Sequence, residues 1–556
     1  MLRSSKVALG ILAAAAAITS PAWAGDKVAK ASQQANWAGF YVGSQIGAAV
    51  EKSTFADPFG ASIYGDTVTS PGAISGITLG FNQQSGKFVY GLEADANWAN
   101  LDGTNTCLAF SGFYVSANCH VKTDFVGSLT ARLGAAVGDG GRTLIYGKGG
   151  LAVRRQSTDI ENGNEYYGFI PDLVSANQSS NWGWTIGAGM EQALTPSISL
   201  KAEYDYMDFG SSTMSYPRSD FFDSVTDTPV AGGTTTVADK LQLFKLGINY
   251  KLGAGQTNFG QGFVASGHES HPKNAGGLQA EFGTRYWYSS GDFQWDNKDS
   301  VGTIQSRLTY SGLTAHSGEV FGRVDTPMNV FLKGQAGLGS VVGGTMNDED
   351  WGIFGVISYS NTVSNEGNGK LTYATLDAGY DLFRGAGYKV GPFIGFNRYT
   401  QKTETRGCVQ IANPLFPCLA PGDNTLVGTQ DTTWDSVRVG TSAEVNLSDR
   451  LKLSADAAYL PYVWFNGRDD HLLRPTETYF TQSGSGGHGV QAEAVLSYDV
   501  TDHLNIGVGA RYWSMWSDGT FTCTGCGGLG VTSDPPNPER ISADRYGVLL
   551  QGAYKF

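Results

Sequence analysis

Apolar and polar residues alternate with a period of two over most of the chain. In Leu504–Tyr512, the residues Leu504, Ile506, Val508, Ala510 and Tyr512 share one face, and Asn505, Gly507, Gly509 and Arg511 share the other. In Leu451–Tyr459, Leu451, Leu453, Ala455, Ala457 and Tyr459 oppose Lys452, Ser454 and Asp456. The last residues, YGVLLQGAYKF, alternate again and end on Phe556. Successive side chains of a strand point to opposite faces, so this period predicts β-strands. Apolar-out, polar-in strands in long series are the pattern of a transmembrane barrel.

One stretch interrupts the series. Residues 253–277, GAGQTNFGQGFVASGHESHPKNAGG, are rich in Gly, Ser, Asn and Gln and keep no period, as a linker does. Eight candidate strands precede it, joined alternately by long loops and by tight turns at QSGK, GDGGR and LTPS. Ten follow, with tight turns at DTPMN, FRGAG, LSDR and VTDH. The expected fold is all-β: two tandem antiparallel transmembrane β-barrels, residues 36–252 with about eight strands and residues 278–556 with about ten. Even strand counts return both ends of each barrel to one side, which places the linker in the periplasm and the long loops outside.

The N-terminus fits export. Arg3 and Lys6 precede the apolar run VALGILAAAAAI, and Ala22-Trp23-Ala24 is an A-x-A cleavage site, so residues 1–24 read as a Sec-type signal peptide. No later run reaches the ~18 apolar residues of a membrane-spanning helix. The 76 glycines, 26 tyrosines and 28 phenylalanines, with only 16% charged residues, suit β-barrels better than several soluble domains. Removing the signal's two cations takes the formal charge from -13 to -15, which argues against a nucleic-acid partner. The expected location is the bacterial outer membrane.

Six cysteines form three close pairs, Cys107 with Cys119, Cys408 with Cys418, and Cys523 with Cys526, each in an outward loop by the strand count. Outside the cytoplasm, such local pairs favour disulfides. CTGC has zinc-like spacing, but no second such motif accompanies it, and no metal or other cofactor is expected. The inward faces of the first barrel carry Glu93, Asp95, Lys201, Glu203 and Asp205. An eight-stranded interior is narrow enough for them to fill as a packed polar plug.

Candidate chemistry lies in the second barrel. GGTMNDEDW, Gly343–Trp351, follows an upward strand, and NGRDDHLL, with Asp469, Asp470 and His471, follows another. Both clusters therefore reach the outer mouth. Asp348 and Asp350, two apart on extended backbone, point the same way, and two close carboxylates raise one pKa. A histidine beside a carboxylate is an oriented base. Such groups suit water-mediated peptide hydrolysis. Each cluster alone reads more readily as a solvated loop; parity and spacing together favour a site. Trp351 is a candidate for lining the cleft or anchoring the rim, and His316 for a lumen-facing structural role.

GGTMNDEDW resembles the GGxMxDxDW stretch of the omptins, outer-membrane endopeptidases on a ten-stranded barrel, and DDH is similar to their D-x-H stretch. The likeness spans about residues 278–556. It implies a surface protease in which His471, oriented by Asp469, activates a water shared with Asp348, with Asp350 assisting. It also implies lipopolysaccharide as an activating lipid and a peptide or protein as substrate. The omptin pocket for basic side chains has an acid where this chain has Gly467, followed by Arg468. Asp292 is a candidate for the other pocket acid. NWAGFYVGSQIG and LFKLGINYKLG, bounding residues 36–253, resemble small eight-stranded outer-membrane barrels of alpha-proteobacteria, and the terminal aromatic resembles their assembly signal. Two readings remain beside the protease: a structural or adhesive outer-membrane barrel that kept the motifs, and a small-solute channel. The sequence leaves oligomeric state open.

Overall fold

The computed structural model describes residues 35–56, 66–107, 117–162, 173–216, 222–223, 228–229, 233–252, 277–298, 304–353, 357–385, 387–411, 418, 422–474, 477–526 and 537–556. The expected signal peptide and nearly all of the expected linker lie outside the described residues. The first barrel consists of β1 (Gly39–Phe55), β2 (Thr67–Ser85), β3 (Phe88–Cys107), β4 (Ala117–Val137), β5 (Thr143–Asn162), β6 (Leu173–Ala193), β7 (Ile198–Tyr216) and β8 (Gly233–Lys251). Every neighbour is antiparallel, and β1 closes on β8, with Tyr41 opposite Lys251.

The second barrel follows with β9 (Gln279–Lys298), β10 (Ile304–Asp325), β11 (Val330–Ile353), β12 (Ile357–Tyr380), β13 (Tyr388–Gln410), β14 (Leu426–Asn446), β15 (Leu451–His471), β16 (Thr478–Asp499), β17 (Leu504–Thr524) and β18 (Asn537–Lys555). β9 pairs with β18, and β12 with β13, which closes the ring. A short strand, Phe383–Gly385, lies against the start of β13. The eight and ten strands that the alternation predicts are therefore present.

Alternation decides which faces meet lipid. Leu79, Leu92, Leu133, Ile145 and Ile248 are exposed on the first barrel, and Leu332, Leu338, Leu376, Ile394 and Leu550 on the second. Such exposed apolar girdles on closed barrels stand in hydrocarbon, where a ring without sheet edges leaves no backbone group unpaired.

The interiors differ. In the first barrel, Lys148 reaches Glu93, Asp95 and Glu203 at 2.8–2.9 Å, and Lys245 reaches Glu203 and Asp205 at 2.6 Å. The oxygens of Glu93, Asp95 and Glu203 lie within 4.8 Å of one another, yet Lys148 already bonds all three. This is the packed polar plug that the inward residues imply.

The second barrel is layered. Trp287, Tyr373, Tyr399 and Trp513 cross its middle edge-to-face, with Trp513 5.1, 5.3 and 5.8 Å from the other three. Arg545 locks this layer, donating to Tyr399 Oη at 2.9 Å and to Gln401 Oε1 at 2.7 Å. Below it Arg511 pairs with Glu319 and Glu493 at 2.7 and 2.6 Å. Above it Phe293, Tyr310, Trp434 and Phe465 form the floor of the outer mouth.

One histidine departs from expectation. His316 faces outward rather than into the lumen, because the inner positions beside it are Ala315 and Ser317. Its Nδ1 bonds the hydroxyl of Tyr286, itself exposed on the outer surface.

Candidate functional site at the outer mouth of the second barrel

Two β-bulges build the mouth. Low on β11 the odd residues face inward: Phe331 and Val341 are fully buried, and Lys333 bonds Asp456 across the lumen. The pairing with β10 then turns irregular where Gly343 meets Thr314, and Val342 and Gly343 have no partner on β12. Above that shift the even residues Met346, Asp348 and Asp350 face inward, with Met346 in the core. Gly344 makes the shift possible: its φ is +154°, and an added Cβ would lie 2.8 Å from Leu313 Cδ2. β15 does the same. Below its shift, between Leu460 and Val463, Ala458 and Leu460 are inward; above it Val463, Phe465, Gly467, Asp469 and His471 are.

These shifts aim the acid pair and the Asp-His pair into one space. The site lies beyond the apolar girdle: the last exposed apolar residue is Val342 on β11 and Trp464 on β15. His471 Nε2 lies 3.0 Å from Asp469 Oδ2, which leaves Nδ1 as the nitrogen available to a water. The imidazole also packs against Phe480, ring centroids 5.2 Å apart. Burial and then the Asp350 carboxylate hold the Asp348 carboxyl well above the usual carboxylate range. Burial raises Asp350 too, with the Ser306 hydroxyl, opposite it on β10, pulling it back. Burial pulls the His471 imidazole down, but the Asp469 carboxylate more than offsets it, and Asp348 adds to the net rise. Across the mouth, therefore, Asp348 and His471 sense each other's charge.

Several residues at this mouth carry no motif. Arg474, just past His471, lowers the proton affinity of both Asp348 and Asp350. Glu366 is buried and accepts a hydrogen bond from Thr405 at 2.5 Å. Glu539, on the inward face of β18, is 3% exposed, with the Gln482 amide beside its carboxyl. Burial pushes its carboxyl up to about 8. Only its inward parity on the last strand could have marked it in the sequence.

Two pocket expectations need correction. Asp292 stands on the outer face of β9, opposite Asp544 and in line with the exposed Tyr288, so it does not line the mouth. Trp351 is 2% exposed and packs on Ile304, with the Arg307 guanidinium 6.0 Å from its ring; it lies on the strand side away from Asp348 and Asp350. Gly467 does face inward. A Cβ at this position would sit 2.4 Å from Gln482 Oε1, so the amide of Gln482 occupies the space. Cys107–Cys119, Cys408–Cys418 and Cys523–Cys526 are bonded as expected, all at the long-loop ends.

Comparison with known proteins adds the setting. The family model described as an outer membrane protein beta-barrel domain matches residues 10–251. The 31 kDa outer-membrane immunogenic protein of Brucella melitensis is 28% identical over 226 residues, 39% of this chain and 84% of that protein. The 22 kDa outer membrane protein of Rhizobium leguminosarum is 29% identical over 177 residues, 32% of this chain and 66% of that protein. This is a bacterial outer-membrane protein. Among solved structures, the outer membrane protease OmpT of Escherichia coli matches at 12% identity and a TM-score of 0.42, over 50% of this chain and 97% of that one. OprG of Pseudomonas aeruginosa matches at 16% and 0.25, over 39% and 96%. Both scores are below 0.5, and neither bears on chemistry. In an outer-membrane barrel the tight turns face the periplasm, so the mouth holding Asp348 and His471 faces the cell exterior.

Proposed function

We propose that the second barrel is a cell-surface endopeptidase of omptin type. The observation that carries this reading is the meeting of Asp348, Asp350, Asp469 and His471 in one outward mouth, through two independent parity shifts. A solvated loop gains nothing from turning four ionisable groups inward, where burial raises the cost of their charge. In the proposed reaction, Asp469 fixes the His471 ring through Nε2, and Nδ1 takes a proton from a water that Asp348 also holds. That water attacks the peptide carbonyl. The protonated form of the acid pair, favoured by burial and mutual repulsion, then donates toward the oxyanion or the leaving amine. Lipopolysaccharide is the proposed activating lipid, and an exposed peptide or protein loop the substrate.

The test is incubation of the full-length mature protein, refolded with lipopolysaccharide, with a diverse peptide pool read by mass spectrometry. The reading expects defined cuts that disappear in Asp348→Ala and His471→Ala. An intact barrel that cuts nothing across the pool overturns it.

A second reading, a structural outer-membrane protein, is favoured by the relatives' names, which describe immunogenic outer-membrane proteins and no enzyme. The family model stops at residue 251, before the barrel that carries Asp348. The channel reading is disfavoured in the second barrel by the Trp287–Tyr373–Tyr399–Trp513 layer, and in the first by its plug.

A further inference from the structure

Glu349 lies between Asp348 and Asp350 in sequence but points to the other side of β11, and it is 1% exposed. The first barrel helps to bury it, beside Asn361 on β12, which donates to its Oε1 at 3.5 Å. Thr106, at the end of β3, donates from Oγ1 to Glu349 Oε2 at 2.9 Å. Arg307 is the register partner of Glu349 on β10, and its guanidinium is fully buried. It donates to Asp296 at 2.7 and 2.9 Å, to Thr106 Oγ1 at 2.9 Å and to Asn118 Oδ1 at 2.8 Å. Beside these, Arg540 on β18 meets Asp102 on β3 at 2.5 Å, and Gln294 donates to the Thr104 carbonyl at 3.2 Å. The outer ends of β3 and β4 are thus bonded to β9, β10, β11 and β18.

These contacts stand directly behind the candidate site. Ser306, which offers its hydroxyl to Asp350 on the inner face, is the chain neighbour of Arg307 on the outer face. Above the girdle no lipid supports the strands, so the reverse side of β10 and β11 is held only by what packs there. Charge-assisted bonds are short and directional, and they fix a strand more firmly than neutral contacts do.

We propose that the first barrel is a positioning buttress: by docking Thr106, Asn118 and Asp102 on Glu349, Arg307 and Arg540, it holds the β10–β11 ribbon so that Asp348 and Asp350 keep their place opposite His471. This inference rests on the endopeptidase reading and gives the fused barrel a part in that activity. None of the three first-barrel residues touches the mouth; they act through the strand behind it. A misplacement of about 1 Å remote from the chemistry is worth up to about a hundredfold in rate.

The test compares the full-length protein with Asp102→Ala/Thr106→Val/Asn118→Ala, with Thr106→Val alone and with Thr106→Ser. Docking is read separately, by bridging the otherwise wild-type pair D102C/R540C with a short bis-maleimide. The proposal expects efficient bridging. It expects the triple variant to lose at least about tenfold in kcat with KM little changed, and Thr106→Ser to keep the wild-type kcat where Thr106→Val does not. A wild-type kcat in a folded triple variant overturns the buttress while leaving the endopeptidase standing. Equal losses in Thr106→Ser and Thr106→Val overturn it as well. A wild-type protein that cuts no peptide removes the endopeptidase reading and the positioning role with it, and the cross-link then reports a structural docking only.

Discussion

His471 Nε2 and Asp469 Oδ2 stand 3.0 Å apart at the end of β15, both turned inward by the bulge between Leu460 and Val463. The carboxylate orients the ring and raises its proton affinity against the pull of burial. If unprotonated His471 is the base, peptide cleavage rises with pH through a limb above the ordinary histidine value. Asp469→Asn should lower kcat by about 10²- to 10⁴-fold. It should also move that limb to lower pH, because the charge that raises the pKa is gone. Initial rates between pH 5 and 9 read both effects.

Gly344 sets the direction of Asp348 and Asp350 through its φ of +154° and its lack of a Cβ, which would lie 2.8 Å from Leu313 Cδ2. Gly344→Val should destabilise the second barrel by about 1–3 kcal/mol. It should abolish cleavage as well, since both carboxylates turn on this bulge. Urea unfolding from micelles, with activity on the folded fraction, separates the two effects.

Glu539 supplies a pH dependence of stability. Its carboxyl sits at about 8 in the folded chain against an ordinary 4.5, so folding takes up a proton between those values. The stability this contributes is complete below about pH 4.5 and falls as pH rises to about 8, by at most about 1.4 kcal/mol per pH unit. Glu539→Gln should flatten the profile over that window and be the more stable protein at pH 9. Thermal unfolding of both proteins across pH 4–9 checks the sign.

The aromatic layer closing the second barrel gives an electrical prediction. The full-length protein in planar bilayers should show no steady conductance, since Trp287, Tyr373, Tyr399 and Trp513 fill the cross-section and the first barrel is plugged by Lys148 and its carboxylates. A reproducible open level that survives in Asp348→Ala would revive the channel reading.

Much of the architecture was legible in the chain because barrel strands obey a strict period. Leu504 to Tyr512 and the final YGVLLQGAYKF alternate as written, and the tight turns count out eight and ten strands. Strand direction carried both polar clusters to the same long-loop end, where the structure has them. What could not be read was side-chain facing beyond a bulge. An irregular pairing at Gly343–Gly344 or Pro461–Tyr462 inverts every position above it, and glycine or proline alone does not announce that. The misplacement of Trp351 has this origin, as it stands above the irregular pairing on β11; Asp292 keeps the outward parity of Tyr288, so no bulge accounts for it. His316 is a parity error of the same kind, below the shift on β10. Contacts between the barrels, such as Thr106 with Glu349, join residues 243 positions apart and leave no local trace.

The measurement closest to the central claim is cleavage of one identified peptide by Asp348→Ala, His471→Ala and the double variant, each refolded with lipopolysaccharide and checked for an intact barrel. Groups that act as one unit are not additive. The account predicts that each single change removes nearly all of kcat, by about 10³-fold or more, and that the double change removes little further. Cleavage that persists near the wild-type rate in either single variant would contradict it.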